Sequence, residues 1–143
     1  MENLLVSACL LGTPCRYDGK SKAYPGIDAL RKKYNLIPIC PETLGGLPTP
    51  RTPSERVGDR VLMQDGTDVT ENYKNGAKKA YEIAKKFNSS KALLKAKSPS
   101  CSKSGIYDGS FTRTLIDGMG VAAEYLASNG ITVYSEEEIE KLL

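Results

Sequence analysis

Leu4-Leu5-Val6-Ser7-Ala8, followed at once by Cys9, is the stretch that decides the fold. It is a short apolar run of β type, and two further runs lead to cysteines in the same way. They are Leu36-Ile37-Pro38-Ile39 before Cys40, and Ala92-Leu93-Leu94-Lys95-Ala96-Lys97 shortly before Cys101. In an open α/β sheet the loops at the carboxyl ends of parallel strands converge on one crevice, and ligands bind there. Three thiols delivered to one edge by three separate strands read as a site rather than a scatter of core residues. Thiolates without imidazole partners favour soft metals, iron–sulfur clusters above all, and this chain has four cysteines and no histidine.

Working outward from these runs, the pattern predicts a strand near Leu4 to Ala8 and then a Gly/Pro-bearing loop, Leu10 to Tyr24. A short helix over Gly26 to Tyr34 follows, and a second strand over Asn35 to Ile39. The segment from Pro41 to Gly58 holds Pro41, Gly45, Gly46, Pro48, Pro50 and Pro53. It reads as a loop long enough to be functional. Val61-Leu62-Met63-Gln64 is extended and turns at Asp65-Gly66. Val69, Tyr73, Ala77, Ala80, Tyr81, Ala84 and Phe87 recur at helical spacing and predict a core-facing stripe, with Asp68 and Glu71 resembling a capping arrangement. A third strand covers Ala92 to Lys97. A helix is expected over about Leu115 to Ser128, stopping at Asn129-Gly130. A fourth strand spans Ile131 to Tyr134, and Ser135 with Glu138 caps a last short helix. The order reads as one three-layer α/β domain with a mostly parallel sheet of about four to five strands, the cysteines at its carboxyl edge.

The bulk properties narrow the classes. At 143 residues with 40% hydrophobic and 26% charged residues, the chain has a single-domain length and an ordinary globular composition. A net charge of +3 makes no case for nucleic-acid or membrane binding, because the lysines are spread over helix faces. No stretch approaches the length needed to span a bilayer, and the start of the chain lacks the marks of a signal peptide. A cytoplasmic location with reduced thiols is expected. Cysteines at positions 9, 15, 40 and 101 leave 5, 24 and 60 intervening residues. That spacing contains no Cys-x-x-Cys knuckle, so any metal must be held by the fold as a whole. The lack of histidine removes Ser-His-Asp and Cys-His catalysis and His-ligated zinc hydrolysis.

Cys9, Cys40 and Cys101 are the first candidates for metal ligation, against the plainer reading of small buried hydrophobes. Cys15, six residues past Cys9, could be a fourth ligand, a resolving thiol or a supporting group. Three thiolates would leave one iron open to substrate, by the logic of catalytic zinc. Glu42, two residues after Cys40, and Ser98, three before Cys101, cannot be far from a site the cysteines face. Glu42 then becomes a candidate general base. Arg16, Lys20, Arg51 and Lys97 are candidates for holding an electron-rich substrate or balancing cluster charge. Gly12 and Gly45-Gly46 are places where backbone could approach cluster sulfurs. Tyr17-Asp18-Gly19 is echoed by Tyr107-Asp108-Gly109.

Several motifs occur in order: Val6-Ser7-Ala8-Cys9-Leu10-Leu11-Gly12 leading to Cys15-Arg16-Tyr17-Asp18-Gly19, Cys40-Pro41-Glu42 with Gly45-Gly46, and Pro50-Arg51-Thr52-Pro53. Ser98-Pro99-Ser100-Cys101 and Ile106-Tyr107-Asp108-Gly109 complete the set. Together they resemble the thiouracil desulfidase (TudS-like) family over nearly the whole chain, as one domain across residues 1–143. The resemblance implies a [4Fe-4S] cluster held by Cys9, Cys40 and Cys101, with Glu42 and Ser98 in catalysis. It also implies hydrolytic removal of sulfur from thiolated nucleobase-like small molecules. Ser102 departs from the glycine expected after the last cysteine. The competing readings are a structural zinc module and a redox-thiol protein in which Cys9 and Cys15 form a disulfide.

Overall fold

The structure is a computed structural model and describes residues 1–19 and 23–143; Lys20 lies outside the described residues. Its centre is a four-stranded parallel sheet. Strand β1 (Glu2–Ser7) pairs with β2 (Tyr34–Ile39) from Glu2↔Tyr34 to Ser7↔Ile39. On its other side β1 pairs with β5 (Lys91–Leu94) at Leu5↔Ala92 and Val6↔Leu93. Beyond it, β5 pairs with β8 (Thr132–Ser135). The order is thus β2-β1-β5-β8. The chain first builds to one side of β1 and then to the other, which opens a crevice beyond the carboxyl ends of β1 and β5.

Alternation along the strands makes the three layers. Leu4, Val6 and Leu93 face Ile27 and Leu30 of α1 (Ile27–Arg31) and Leu142. Leu5, Ala92 and Leu94 face Ala80 and Ala84 of α3 (Thr70–Lys86) together with Ala123 and Leu126 of α4 (Val121–Ser128). A fully buried leucine contributes roughly 1.5–3 kcal/mol, and all of those named (Leu4, Leu5, Leu30, Leu93, Leu94, Leu126, Leu142) are fully buried. The two-sided sheet therefore holds the strand ends in place.

The structure corrects several expectations. Strand β1 stops at Ser7, and Cys9 sits in a 3-10 turn, Ala8–Leu11, closed by Gly12 at φ 99°. The third strand ends at Leu94, and Lys97 takes a positive φ of 65°. The expected helix over Leu115–Ser128 is two elements. Leu115–Asp117 is strand β7, paired antiparallel with β6 (Gly105–Tyr107), and α4 begins only at Val121. Glycine explains the break: a Cβ on Gly118 would press on Ile106, and one on Gly120 would stand 2.3 Å from the Ser100 carbonyl carbon. The segment from Pro41 to Gly58 contains helix α2 (Pro41–Leu44) and strand β3 (Ser54–Val57), which forms a hairpin with β4 (Arg60–Met63). Asp68 accepts the Thr70 N–H at 2.9 Å, whereas Val69 occupies the cap position of α3 without a side-chain cap. At the last turn, Glu138 does accept the Ser135 N–H at 3.2 Å. Gly45 does not face the cysteines. A Cβ there would lie 2.0 Å from the Asn72 carbonyl oxygen, and one on Gly76 would lie 1.9 Å from that of Pro41. This pair of glycines brings α2 and α3 into backbone contact.

Candidate active site

A cavity of about 520 Å³ opens at the carboxyl ends of β1, β2 and β5, and Cys9, Cys15, Cys40 and Cys101 all line it. Each thiol arrives by a different local device. The 3-10 turn after β1 carries Cys9. Cys40 ends β2 and stands at the N-cap of α2 in extended backbone, with Pro41 starting the helix. Cys101 follows β5 in a turn that the Ser98 hydroxyl holds by accepting the N–H groups of Ser100 at 3.1 Å and Cys101 at 3.0 Å. Ser102 is buried and donates to the Gly105 carbonyl at 2.5 Å. The departure at this position is therefore absorbed within the turn.

The thiols interact with one another. Cys15 hydrogen-bonds both Cys40 and Cys9, and the Thr43 hydroxyl donates to the Cys40 sulfur at 3.2 Å. The Cys40 contact favours the Cys15 thiolate, but the Cys9 hydrogen bond, burial and the neighbouring charges outweigh it and push Cys15 up to about 11. The Cys15 hydrogen bond and burial raise Cys40 well above the ordinary thiol range. Burial, with the Glu42 charge beside it, pushes Cys101 up to about 12. Burial and neighbouring groups thus favour the protonated thiols, so metal binding at these sulfurs would release protons. Among the described residues no three thiol or carboxylate groups are gathered as one metal ion requires. The thiolates around a polynuclear cluster stand further apart than those around a single ion. An all-sulfur donor set converging on one cavity fits such a cluster.

Glu42 lies in the first turn of α2 and lines the same cavity. Its Oε2 accepts from Arg51 Nη2 at 2.7 Å and from the Tyr73 hydroxyl at 3.1 Å. The Arg51 side chain is only 2% exposed, and its Nη1 donates to the Pro48 carbonyl and the Thr49 hydroxyl, each at 3.1 Å. Burial disfavours the Arg51 charge, but the charge and hydrogen bond of Glu42 outweigh it, and its pKa rises. Burial, then the Glu42 charge, raises Tyr73 and keeps it a neutral donor. Arg51, which also lines the cavity, thus ties Glu42 to the Pro48–Thr49 turn of its own loop.

The remaining candidates separate. Ser98 lines the cavity, and its hydroxyl proton is directed by neither backbone bond it accepts. Arg16 and Lys97 line the cavity as exposed groups, Arg16 beside Asp18 at 3.6 Å. Tyr17 and Tyr107, the heads of the two Tyr-Asp-Gly segments, also line it.

With this geometry in place, residues 4–138 match the 2-thiouracil desulfurase family. The chain belongs to that family. It is similar to the Bacillus subtilis (strain 168) protein YbbK, itself described as uncharacterized. The two are 40% identical over 150 residues, covering 98% of this chain and 99% of that one. Among solved structures it is similar to one described as the [4Fe-4S]-dependent thiouracil desulfidase TudS. That similarity is 42% identity with a TM-score of 0.94, covering 99% of this chain and 95% of that one. The expected family and α/β fold are borne out.

Sequence reasoning missed three residues that shape the desulfurase cavity. Tyr73 reads as one more apolar residue on the α3 stripe, and only a polar partner reveals its hydroxyl. Glu55 is buried and lines the cavity from β3, a strand hidden in a Pro/Gly-rich segment. Phe111 lines it from the β6–β7 connection. The one available signal was the repeated Tyr-Asp-Gly.

Proposed function

We propose that this chain converts a thiocarbonyl to a carbonyl in a thiolated, nucleobase-like small molecule, with release of sulfide. A [4Fe-4S] cluster held by Cys9, Cys40 and Cys101 would supply an open iron position, a Lewis acid for a soft sulfur. Glu42, with Oε2 tied to Arg51 and Tyr73, presents Oε1 to take a proton from the attacking water. The Ser98 hydroxyl donates toward the developing anion. Water adds its oxygen to the carbon, the carbon–sulfur bond breaks, and the two protons of water leave with sulfide. No electron is gained or lost.

The observation that carries this reading is the convergence of thiols from three strand ends with Glu42 and Ser98 on one cavity. A redox-thiol role finds support in the Cys15 hydrogen bonds to Cys9 and Cys40, but it leaves Glu42 and its two buried donors without a purpose. Anaerobic reconstitution followed by 2-thiouracil separates the two. Stoichiometric uracil and sulfide support the desulfidase. A reversible two-electron thiol titration in metal-free protein, with no sulfide from the reconstituted form, contradicts it.

A further inference from the structure

The outer wall of the cavity has an architecture of its own. The β6–β7 hairpin brings Tyr107, Phe111 and Arg113 to the cavity, and Tyr17 reaches it from the loop bearing Cys15. The turn between β6 and β7 is tied down along its length. The Asp108 N–H donates to the Thr114 carbonyl at 3.0 Å, and the Asp108 carboxylate accepts the Ser110 N–H at 2.9 Å. The hydroxyls of Ser110, Thr112 and Thr114 form a series at 2.6 and 2.8 Å. Phe111 and Arg113 both take left-handed backbone, with φ 59° and 60°. A bulky side chain adopts that conformation only where its surroundings impose it.

At Phe111 the contact that holds the backbone comes from Glu55. This carboxylate, 8% exposed, accepts the N–H of Gly109 at 2.9 Å and of Phe111 at 3.1 Å, both on Oε1. Gly109, at φ 96°, lies so close to Val57 that a Cβ would stand 2.3 Å from its methyl group. Strand β3 thus clamps the hairpin from beneath. The clamped ring is not a core residue: Phe111 and Tyr107 belong to none of the three apolar clusters. Among the described residues Phe111 stacks on no other ring. A preorganised aromatic at the rim of a cavity is a stacking platform for a planar heterocycle, since such rings prefer a π-face to a flexible aliphatic.

We infer that Phe111 is a specificity-determining residue whose ring receives the planar ring of the substrate, and that Glu55 is the positioning residue that keeps it there. This rests on the desulfidase reading for the substrate's shape and goes beyond it in naming what recognises the ring. Glu55 acts as an acceptor of two N–H groups, so glutamine at this position preserves the role and alanine removes it.

The test uses anaerobically reconstituted full-length protein with 2-thiouracil for turnover, and uracil as an unreactive ligand measured by calorimetry. Phe111→Leu and Phe111→Ala should each raise KM, and weaken uracil binding, about ten-fold with kcat within about two-fold, while Phe111→Tyr stays near wild type. Glu55→Gln should resemble wild type, and Glu55→Ala should resemble Phe111→Ala. Equal binding by the leucine and phenylalanine forms would overturn the stacking role. A collapse of kcat in Glu55→Gln with unchanged KM would overturn the positioning role and make Glu55 a proton-transfer group. Failure of wild type to release sulfide would defeat the desulfidase reading alone, because the ranking of uracil binding still decides this one.

Discussion

The floor of the cavity and its outer wall are made in different ways. The floor consists of turns that leave the sheet, so Cys9 and Cys101 inherit their positions from the fully buried Leu4, Leu5, Val6, Leu93 and Leu94, and Cys40 from the buried Ile39 beside it. The wall consists of two short hairpins, β3–β4 and β6–β7, whose order comes from single polar contacts such as Glu55 to Gly109 and Phe111. Packing fixes the reacting end through many small contributions. Hydrogen bonds to a few groups fix the recognising end, which leaves it open to change by one substitution.

Breaking the floor should have the largest effect. Replacing Cys9, Cys40 or Cys101 by serine is expected to abolish iron binding and sulfide release together, while Cys15→Ala retains the iron. Iron content and the visible absorption of reconstituted variants check both. A Cys15→Ala protein that cannot hold iron would make Cys15 a ligand and close the open position. Next in size, Glu42→Gln should keep its iron yet lose between about a hundred- and ten-thousand-fold in turnover, the usual range for a general acid–base group.

The anchoring of the floor can be probed without touching the chemistry. Gly76→Ala places a methyl 1.9 Å from the Pro41 carbonyl oxygen. Neither backbone can move cheaply, so a loss of about 1–3 kcal/mol is expected in urea unfolding. An unchanged midpoint would show that the contact of α2 with α3 does not hold the Cys40–Glu42 turn.

The smallest effect lies at the far end of the chain. Hydrogen bonds from Lys103 and then Lys141 hold the Glu138 carboxylate down from 4.5 to about 2. The folded value is depressed, so the stabilisation is present above pH 4.5 and is lost as pH falls through about 2. Acid titration of wild type against Glu138→Gln should show a small difference confined to that window. An identical acid profile would remove the contact from consideration.

The contrast between floor and wall also explains what the sequence made legible. Apolar runs before Cys9, Cys40 and Cys101 announce strands because a sheet buried on both faces needs them, and the cysteines follow by position. The wall carries no such periodicity. Leu115-Ile116-Asp117 adjoins a helical pattern and reads as its first turn. Only Gly118 and Gly120, made necessary by contacts with Ile106 and Ser100, reveal the break. Strand β3 sits among prolines, so Glu55 reads as a loop carboxylate. The Arg51–Glu42 contact is not legible either, because an ion pair nine residues apart has no local signature.

The most direct measurement is iron and acid-labile sulfide per chain after anaerobic reconstitution, in wild type and in Cys101→Ser. A [4Fe-4S] centre on three converging thiols predicts about four of each in the wild type and almost none in the variant. Zinc in place of iron, or equal loading of both proteins, would contradict it.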